Sequence, residues 1–589
     1  MKQLIKFMLV CLLTVGITET FSQLKIDKES SGSSYIELAD PAITDTNSWA
    51  KLKKEINVSF ASSNVRFKKS KIPTVPTQTK WSATGWRGEK INTQVLIWTK
   101  RAIREARVSF SQLKDNKGNV IGADHLKASF VRYVMTDIYQ PDCVKENKTT
   151  EIDSSLVADV LDTVETMAIS ANTVQPVWLS LQIPHDAAPG LYTGLVDIKT
   201  ETTVRRLRLQ INVIDRTLPK PADIGFDLDL WQHPVAIARI HNTGLWTDAH
   251  FEAMKPYFEM LAQAGQKVVT AAITHEPWGH QTYDDFPGMI KVIKKADGSW
   301  FYDYSLFDKY VNFVQDCGIT KRINCYSIMS WDNNYRYYDE NTQSDSIFMA
   351  HTADKAYKDF WLPLLKDFAA HLKQKNWFAK TSIAMDERPL EDMQRVIKLL
   401  HEADADWKIA LAGRYHAELI NDIYDYAVFK TDRFTSEELL QRKAKGWPST
   451  YYTSCEGNFP NLFTFSSPIE AIYLPYQCAA KGFTGYLRWA YNSWPAQPLL
   501  DSRFISWPAG DTFQIYPGPR SSVRFEKLLE GVQDFEKIRI LSERYRRENN
   551  FEALDKLNMM LQQFESTALI DKHVMELIEK TRRLLNGDN

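Results

Sequence analysis

The chain has 589 residues, 44% hydrophobic and 12% aromatic, which is enough for a large core and for two or more domains. Its 72 basic and 73 acidic residues leave a formal net charge of -1, which excludes a strongly basic nucleic-acid surface and a cationic membrane-binding face. Most of its 17 tryptophans are expected in the core, although Trp and Tyr also stack on the apolar faces of sugar rings.

The amino terminus predicts a signal peptide over residues 1–22. Lys2 and Lys6 flank the start of an apolar run from Phe7 to Gly16. That run is too short to span a bilayer comfortably, and Thr20-Phe21-Ser22 puts small residues before a mature start near Gln23. A secreted or periplasmic location follows, and no later segment is long and apolar enough to span. Cys11 follows Val10, whereas a lipoprotein cysteine normally follows a small residue such as Gly or Ala, so lipidation is not expected. The cysteines beyond the leader are Cys143, Cys317, Cys325, Cys455 and Cys478, an odd number without C-x-x-C. Buried free thiols are expected rather than a disulfide framework or a zinc site.

Residues 23 to about 80 are polar and irregular. From Trp81 to about Val213 the pattern is short β-runs, among them 94–98, 106–110, 130–135 and 177–181. Residues 190–198 and 204–214 alternate as half-buried strands do. An N-terminal β-sandwich over 23–218 is predicted. Thr217-Leu218-Pro219-Lys220-Pro221 reads as a stiff linker.

After the linker the rhythm becomes strand, loop, helix. Candidate strands are 226–231, 267–273, 323–329, 381–386, 408–412, 426–429, 450–454 and 486–490, with helices between them. Helical spacing recurs in Leu306, Phe307, Tyr310, Val311 and Val314, and again in Phe360, Leu364, Leu365, Phe368 and Leu372. Ser467-Pro468-Ile469-Glu470 is a capping box with proline at the first helical position, and Gly482 marks the stop. The fold class predicted is a multidomain chain: the sandwich, a (β/α)8 TIM-type barrel over 222–525, and a C-terminal helical segment over 526–589. The tail from Ser522 supplies the eighth helix and a few packed ones.

Barrel active sites lie at the carboxyl ends of the strands. The residues at and after the ends of the predicted strands are Trp231, Gln232 and His233; His275, Glu276, Trp278 and His280; Trp331, Asp332, Asn333 and Asn334; Asp386 and Glu387; Arg414, Tyr415 and His416; Lys430, Thr431 and Asp432; Glu456; and Tyr491, Asn492, Trp494 and Trp507. This aromatic, amide and carboxylate rim has no phosphate-cradling glycine loop and suits a neutral, polyhydroxylated substrate. Trp231 and Trp489 also read as barrel core. His275-Glu276-Pro277-Trp278-Gly279-His280 has the wrong spacing for a helical zinc motif, and Pro277 and Gly279 oppose a helix. No metal or cofactor is expected. Trp86-Arg87-Gly88-Glu89 reads as a structural turn with an ion pair.

Glycoside cleavage usually requires two carboxyl groups, and two arrangements stay open. In one, Glu387 is the acid and Glu456 the nucleophile of a retaining double displacement. In the other, the substrate's 2-acetamido oxygen is the nucleophile, Glu387 donates the proton and Asp386 stabilises the oxazoline. Ionised Asp386 beside Glu387 would favour the protonated acid by like-charge repulsion. Because consecutive strand residues face opposite ways, both can serve one pocket only if the chain leaves strand geometry at this pair.

At Met385-Asp386-Glu387-Arg388-Pro389, Tyr486 to Asn492, Gly510-Asp511 and Arg520 to Asp534 the sequence resembles glycoside hydrolase family 123, the retaining β-N-acetylgalactosaminidases. The resemblance covers most of the mature chain. It implies neighbouring-group participation, with Asp386 holding the acetamido group and Glu387 as acid/base. By similarity to the family-20 hexosaminidases it implies a tyrosine on the acetamido oxygen, for which Tyr415 is the candidate. Trp331, Asn333, His233, His275, Trp278, Glu456, Trp489, Asn492 and Trp494 are the remaining candidate substrate contacts. The activity implied is exo-release of terminal β-linked N-acetylgalactosamine from globo- or ganglio-type glycans, with no nucleic-acid partner and no integral membrane segment. A secreted glycan-binding protein without activity is the alternative of a different class.

Overall fold

The computed structural model describes residues 35–137, 154–456, 459–504, 506–566 and 571–587. The predicted signal peptide, Cys11 and Cys143 lie outside the described residues. No helix among the described residues is long and apolar enough to cross a membrane.

Two sheets form the amino-terminal half. One is antiparallel, in the order Ile56–Ala61, Lys90–Thr99, Thr173–Gln182, Leu126–Asp137, Ser154–Leu161. The other runs Lys80–Arg87, Val204–Thr217, Gly190–Thr200, Ile103–Phe110, Thr166–Ile169, with the first pair parallel. Val95, Ile97, Val177 and Leu179 from the first sheet meet Val196, Ile198, Leu209 and Ile211 from the second in one buried cluster. The alternation in the second sheet has this cause: inward residues are buried and outward ones are not. Ile56–Ala61 lies in the stretch read as irregular; its neighbours are polar, and pairing with Lys90–Thr99 makes it a strand. In the turn at 86–89, Glu89 accepts from Trp86 N–H at 2.7 Å and pairs with Lys537 at 2.6 Å, while Arg87 pairs with Asp215 at 2.8 Å.

Eight parallel strands then form a nearly closed barrel: β1 Asp227–Leu230, β2 Val268–Ala272, β3 Arg322–Tyr326, β4 Thr381–Met385, β5 Lys408–Gly413, β6 Asp425–Phe429, β7 Ser449–Tyr452 and β8 Gly485–Arg488. β8 pairs with β1, and a bridge from Leu228 to Gln266 joins β1 to the approach of β2. The strands are buried on both faces, as a barrel enclosed by helices requires. Helices Asp248–Gln263, Ser305–Asp316, Lys355–Gln374, Leu390–Ala403, Ser436–Ala444 and Pro468–Lys481 surround it. Contrary to strict alternation, β5 and β6 are joined by a single 3-10 turn, Ala417–Leu419, with no α-helix. Helix Pro468–Lys481 starts as read: Ser467 N–H donates to the Glu470 carboxylate at 2.8 Å, and Gly482 closes the helix at φ 76°. The last long helix, Val523–Arg547, runs across residues 525 and 526.

The loops after β2 and β3 carry a further four-stranded sheet that the sequence reading did not contain. Its order is Trp300–Asp303, Lys291–Lys294, Asn334–Asp339, Ser344–Met349.

The sandwich is bonded to the barrel directly. Met135 N–H donates to Leu500 O at 2.9 Å and Leu161 N–H to Ser521 O at 3.0 Å. Buried Asp159 takes Arg66 from the sandwich side at 2.8 Å and Arg524 from helix Val523–Arg547 at 3.0 Å. The sandwich therefore braces the loop after β8, which borders the catalytic end of the barrel. Cys317, Cys325 and Cys478 are free, as expected, but Cys455 is disulfide-bonded, which corrects the all-thiol expectation.

Candidate functional site

β4 ends at Met385; residues 386–389 belong to no strand and the chain bends at Glu387 before helix Leu390–Ala403 begins. The chain thus leaves strand geometry at the carboxylate pair, which meets the condition that both serve one pocket. The two side chains have different surroundings. Asp386 is only 8% exposed, whereas Glu387 is exposed.

Asp386 is held from two sides. Trp331, on the loop after β3, donates its Nε1–H to Asp386 Oδ2 at 2.8 Å. Arg388 Nη2 lies 3.1 Å from Oδ1 and donates to Met329 O at 2.9 Å. The Arg388 guanidinium also lies 4.1 Å above the Trp331 ring, so carboxylate, indole and guanidinium lock one another. Burial pushes the Asp386 carboxyl above its usual range; Arg388 and then the Trp331 hydrogen bond pull it back, and the Glu387 charge adds to the push.

Glu387 is engaged from β7: the Tyr452 hydroxyl at the end of that strand donates to its Oε1. Tyr452 is buried and packs on Phe429 at 5.5 Å. Burial, and then the Glu387 charge, push its phenol well up, so it stays a proton donor. Sequence reasoning missed this residue. It extended β7 to Ser454, two residues too far, and so counted Tyr452 as strand interior.

Tyr415 is the sequence candidate for a different role, holding the acetamido oxygen. Its hydroxyl donates to Glu438, on helix Ser436–Ala444, at 2.7 Å. Glu456 is exposed on the loop after β7. Asn333 and Trp331 lie on the loop after β3; Asn333 has φ 53° and Trp331 is 41% exposed. Trp489 is half-buried and meets Trp507 at 5.3 Å, so both indoles border the end of β8.

Three candidates are core. Trp494 is fully buried and donates to Ile515 O at 2.7 Å. The Asn492 amide is buried and engages the His233 backbone, accepting from its N–H at 3.0 Å and donating to its carbonyl at 2.9 Å. Trp278 is 3% exposed and stacks on Trp231 at 5.6 Å. The polar residues flanking Trp494 in sequence are themselves buried, which is why they misled. His233 is buried below the rim; its Nε2 is 3.1 Å from Trp489 O, and burial drives its imidazole down to about 4, so it is neutral. His275 is half-buried.

Among the described residues, Glu276, His280 and Asp285 bring one ligand atom each within 4.8 Å and could converge on a cation. Both Glu276 oxygens already accept backbone N–H groups, from Phe286 and His280, which close this loop. A cavity of about 520 Å³ lies elsewhere, between the sandwich (Lys127, Trp178, Gln182) and the segment entering β1 (Pro221, Ile224). It shares no residue with the carboxylate site.

Adjacent carboxylates of unequal exposure at the end of β4, backed by an indole and a guanidinium, form a site for acid-assisted cleavage next to a charge stabiliser. The family profile described as "Glycoside hydrolase 123, catalytic domain" matches residues 231–541, and "Glycoside hydrolase 123 N-terminal domain" matches residues 60–200. This chain belongs to glycoside hydrolase family 123. A family 123 glycoside hydrolase from Clostridium perfringens, described for glycolipid glycan hydrolysis, is similar along almost its whole length. The TM-score is 0.81 at 25% identity, over 91% of this chain and 98% of that one. A GH10 xylanase with a bacterial Ig-like domain from termite gut reaches only TM-score 0.29 at 8% identity, over 59% of this chain and 86% of that one. A β-glucuronidase from Parabacteroides merdae reaches 0.28 at 9%, over 82% and 52%. Those two carry no argument. No curated protein sequence matches the chain. As a family 123 member the protein is a glycosidase, and the sandwich and barrel are the two parts that the family profiles match.

Proposed function

We propose that this glycosidase releases terminal β-linked N-acetylgalactosamine with retention, using the substrate's acetamido group as nucleophile. The observation that carries the reading is the asymmetry of the carboxylate pair. Asp386 is buried and fixed by Trp331 and Arg388, which suits a stationary charge; Glu387 is exposed and touched by one phenol, which suits proton transfer. In the first step Glu387 protonates the glycosidic oxygen and the leaving group departs as its alcohol. The acetamido carbonyl oxygen closes on C1 to give the oxazoline, whose N–H and positive charge face Asp386. In the second step Glu387 takes a proton from water, the water oxygen attacks C1 from the face the leaving group vacated, and the oxazoline opens. Two inversions give net retention.

The substrate class proposed is a glycolipid-type glycan. It is supported by the Clostridium perfringens relative, which was described for glycolipid glycan hydrolysis. Export through the predicted signal peptide fits such an extracellular glycan, and amino-terminal sequencing of the exported protein should begin near Gln23.

The deciding experiment is a panel of chromogenic β-glycosides with and without a 2-acetamido group, run on wild type, Glu387→Gln and Asp386→Asn. Turnover confined to acetamido substrates, collapse in both variants and inhibition by a thiazoline analogue are expected. Equal turnover of the 2-hydroxy sugars, or a covalent glycosyl-enzyme trapped on Glu456, would overturn the reading.

A further inference from the structure

We propose that the outward face of the four-stranded sheet on the β2 and β3 loops binds the sugar residues on the leaving-group side of the scissile bond. This rests on the glycosidase reading above. The sheet's inner face is accounted for by packing. Trp300, Tyr335 and Phe348 all pack on Phe360 of helix Lys355–Gln374, at 5.4, 6.1 and 4.9 Å, Tyr335 stacked and the other two edge to face. Period-two alternation then turns Asp345, Ile347 and Met349 outwards on the edge strand, beside Asn334 and Arg336 on its neighbour. Ile347 is 58% exposed and Met349 is 67% exposed, although a strand pair with a packed inner face has no structural need of apolar residues outside.

The position of this stripe ties it to the catalytic centre. Met349 pairs with Asn334, and Ala350 N–H donates to Asn333 O at 3.1 Å. The edge strand therefore ends at the base of the loop whose exposed Trp331 holds Asp386. Met349 and Ile347 thus continue along the strand away from that loop. A second relation concerns the β2 loop. After burial, the Arg336 charge pushes the His275 imidazole down, and Asp285 and then Asp345 oppose it, so the charged pair of this face lies within electrostatic reach of that loop.

The chemistry of the face selects its occupant. Apolar Met349 and Ile347 fit the C–H faces of pyranose rings, and Asn334, Arg336 and Asp345 offer donors and acceptors for hydroxyls between them. Arg336 and Asp345 offset each other in charge, so the face has no cationic excess for an anionic membrane.

The test uses Ile347→Ser/Met349→Ser and, separately, Arg336→Ala, all at exposed positions where the fold tolerates change; unchanged Tm confirms this. Substrates are an aryl β-N-acetylgalactosaminide, a free tetrasaccharide with terminal β-linked N-acetylgalactosamine, and the same glycan on ceramide in detergent micelles. The ratio of kcat/KM for free tetrasaccharide to that for the aryl glycoside should fall about tenfold in the variants, mainly through KM. An unchanged ratio overturns the proposal. So does a loss confined to the ceramide-linked glycan, which would make the face a lipid contact, or a loss that follows dissociation of a dimer in sedimentation. Titration of the leaving trisaccharide into wild type and variants reads the same subsite without turnover. A wild type inactive on all three substrates but binding the trisaccharide sinks the activity and keeps the subsite.

Discussion

The indole Nε1–H of Trp331 points at Asp386 Oδ2 from 2.8 Å, linking the loop after β3 to the end of β4. With Arg388, the larger influence, it opposes the effect of burial on this carboxyl. Trp331→Phe removes the donor and keeps most of the ring. The Asp386 pKa should then rise further, because burial loses one of the influences that oppose it. With ionised Asp386 as the working form, the acid limb of the kcat/KM profile moves to higher pH. An acid limb that stays in place would separate Trp331 from the charge on Asp386.

Tyr452→Phe isolates the other half of the pair. The ring keeps its packing on Phe429, so the Tm should stay within about 2 °C of wild type, while Glu387 loses its phenol donor. A fall in kcat of about tenfold to a hundredfold is expected for a group that aligns a general acid. Tyr415→Phe is the matched comparison. Its hydroxyl is engaged with Glu438, so kcat should change less than in Tyr452→Phe. The reverse order would return Tyr415 to the role assigned from sequence.

The Arg488–Asp511 pair supports Tyr452 from below. Both side chains are fully buried, and Arg488 also donates to Thr453 Oγ1 at 2.6 Å and Asn461 Oδ1 at 2.7 Å, just beyond Tyr452. Asp511→Ala would strand a guanidinium in the core at a cost of about 3–5 kcal/mol. Asp511→Asn keeps an acceptor and should lose distinctly less. Denaturant melts of the two variants check the order, and equal losses would show that the charge, not the hydrogen bond, is what the site needs.

The eight strands were legible because doubly buried parallel strands read as short apolar runs between helical patterns. The pair Asp386-Glu387 was legible for the same reason: it follows such a run. What stayed hidden depended on three-dimensional neighbours. The four-stranded sheet is made of strands of four to six residues with mixed polarity, such as Lys291–Lys294 and Ser344–Met349, whose partners are distant in sequence. Trp494 looked like a rim residue because Asn492 and Ser493 precede it, yet all three are buried. Arg388 was quoted as part of a motif, but its contacts with Met329 O and Trp331 come from another loop.

A carboxyl inside the barrel gives the pH dependence of stability a definite sign. Asp229, on β1, is fully enclosed; its Oδ1 accepts from Gln266 at 3.2 Å, and its Oδ2 has no partner within hydrogen-bond distance among the described residues. Burial pushes this carboxyl up to about 7, the Asp425 charge adds to the shift and Arg322 opposes it. In the unfolded chain the same group ionises near the ordinary value of about 3.9. Between those two values the folded state holds the proton that the unfolded state has released. Stability therefore falls as pH rises through that window, and the contribution is lost once the folded group has titrated. Asp386, Asp425 and Asp511 are also pushed up by burial and act in the same direction, so wild type alone cannot isolate Asp229. Asp229→Asn can, because it keeps the shape and the partner of Oδ1 but has no proton to lose. From pH 5 to pH 7.5 the unfolding free energy of wild type should drop more than that of Asp229→Asn, by an amount on the order of 1–4 kcal/mol. Parallel curves for the two proteins would mean that Asp229 enters the folded state already ionised and that Arg322 outweighs burial.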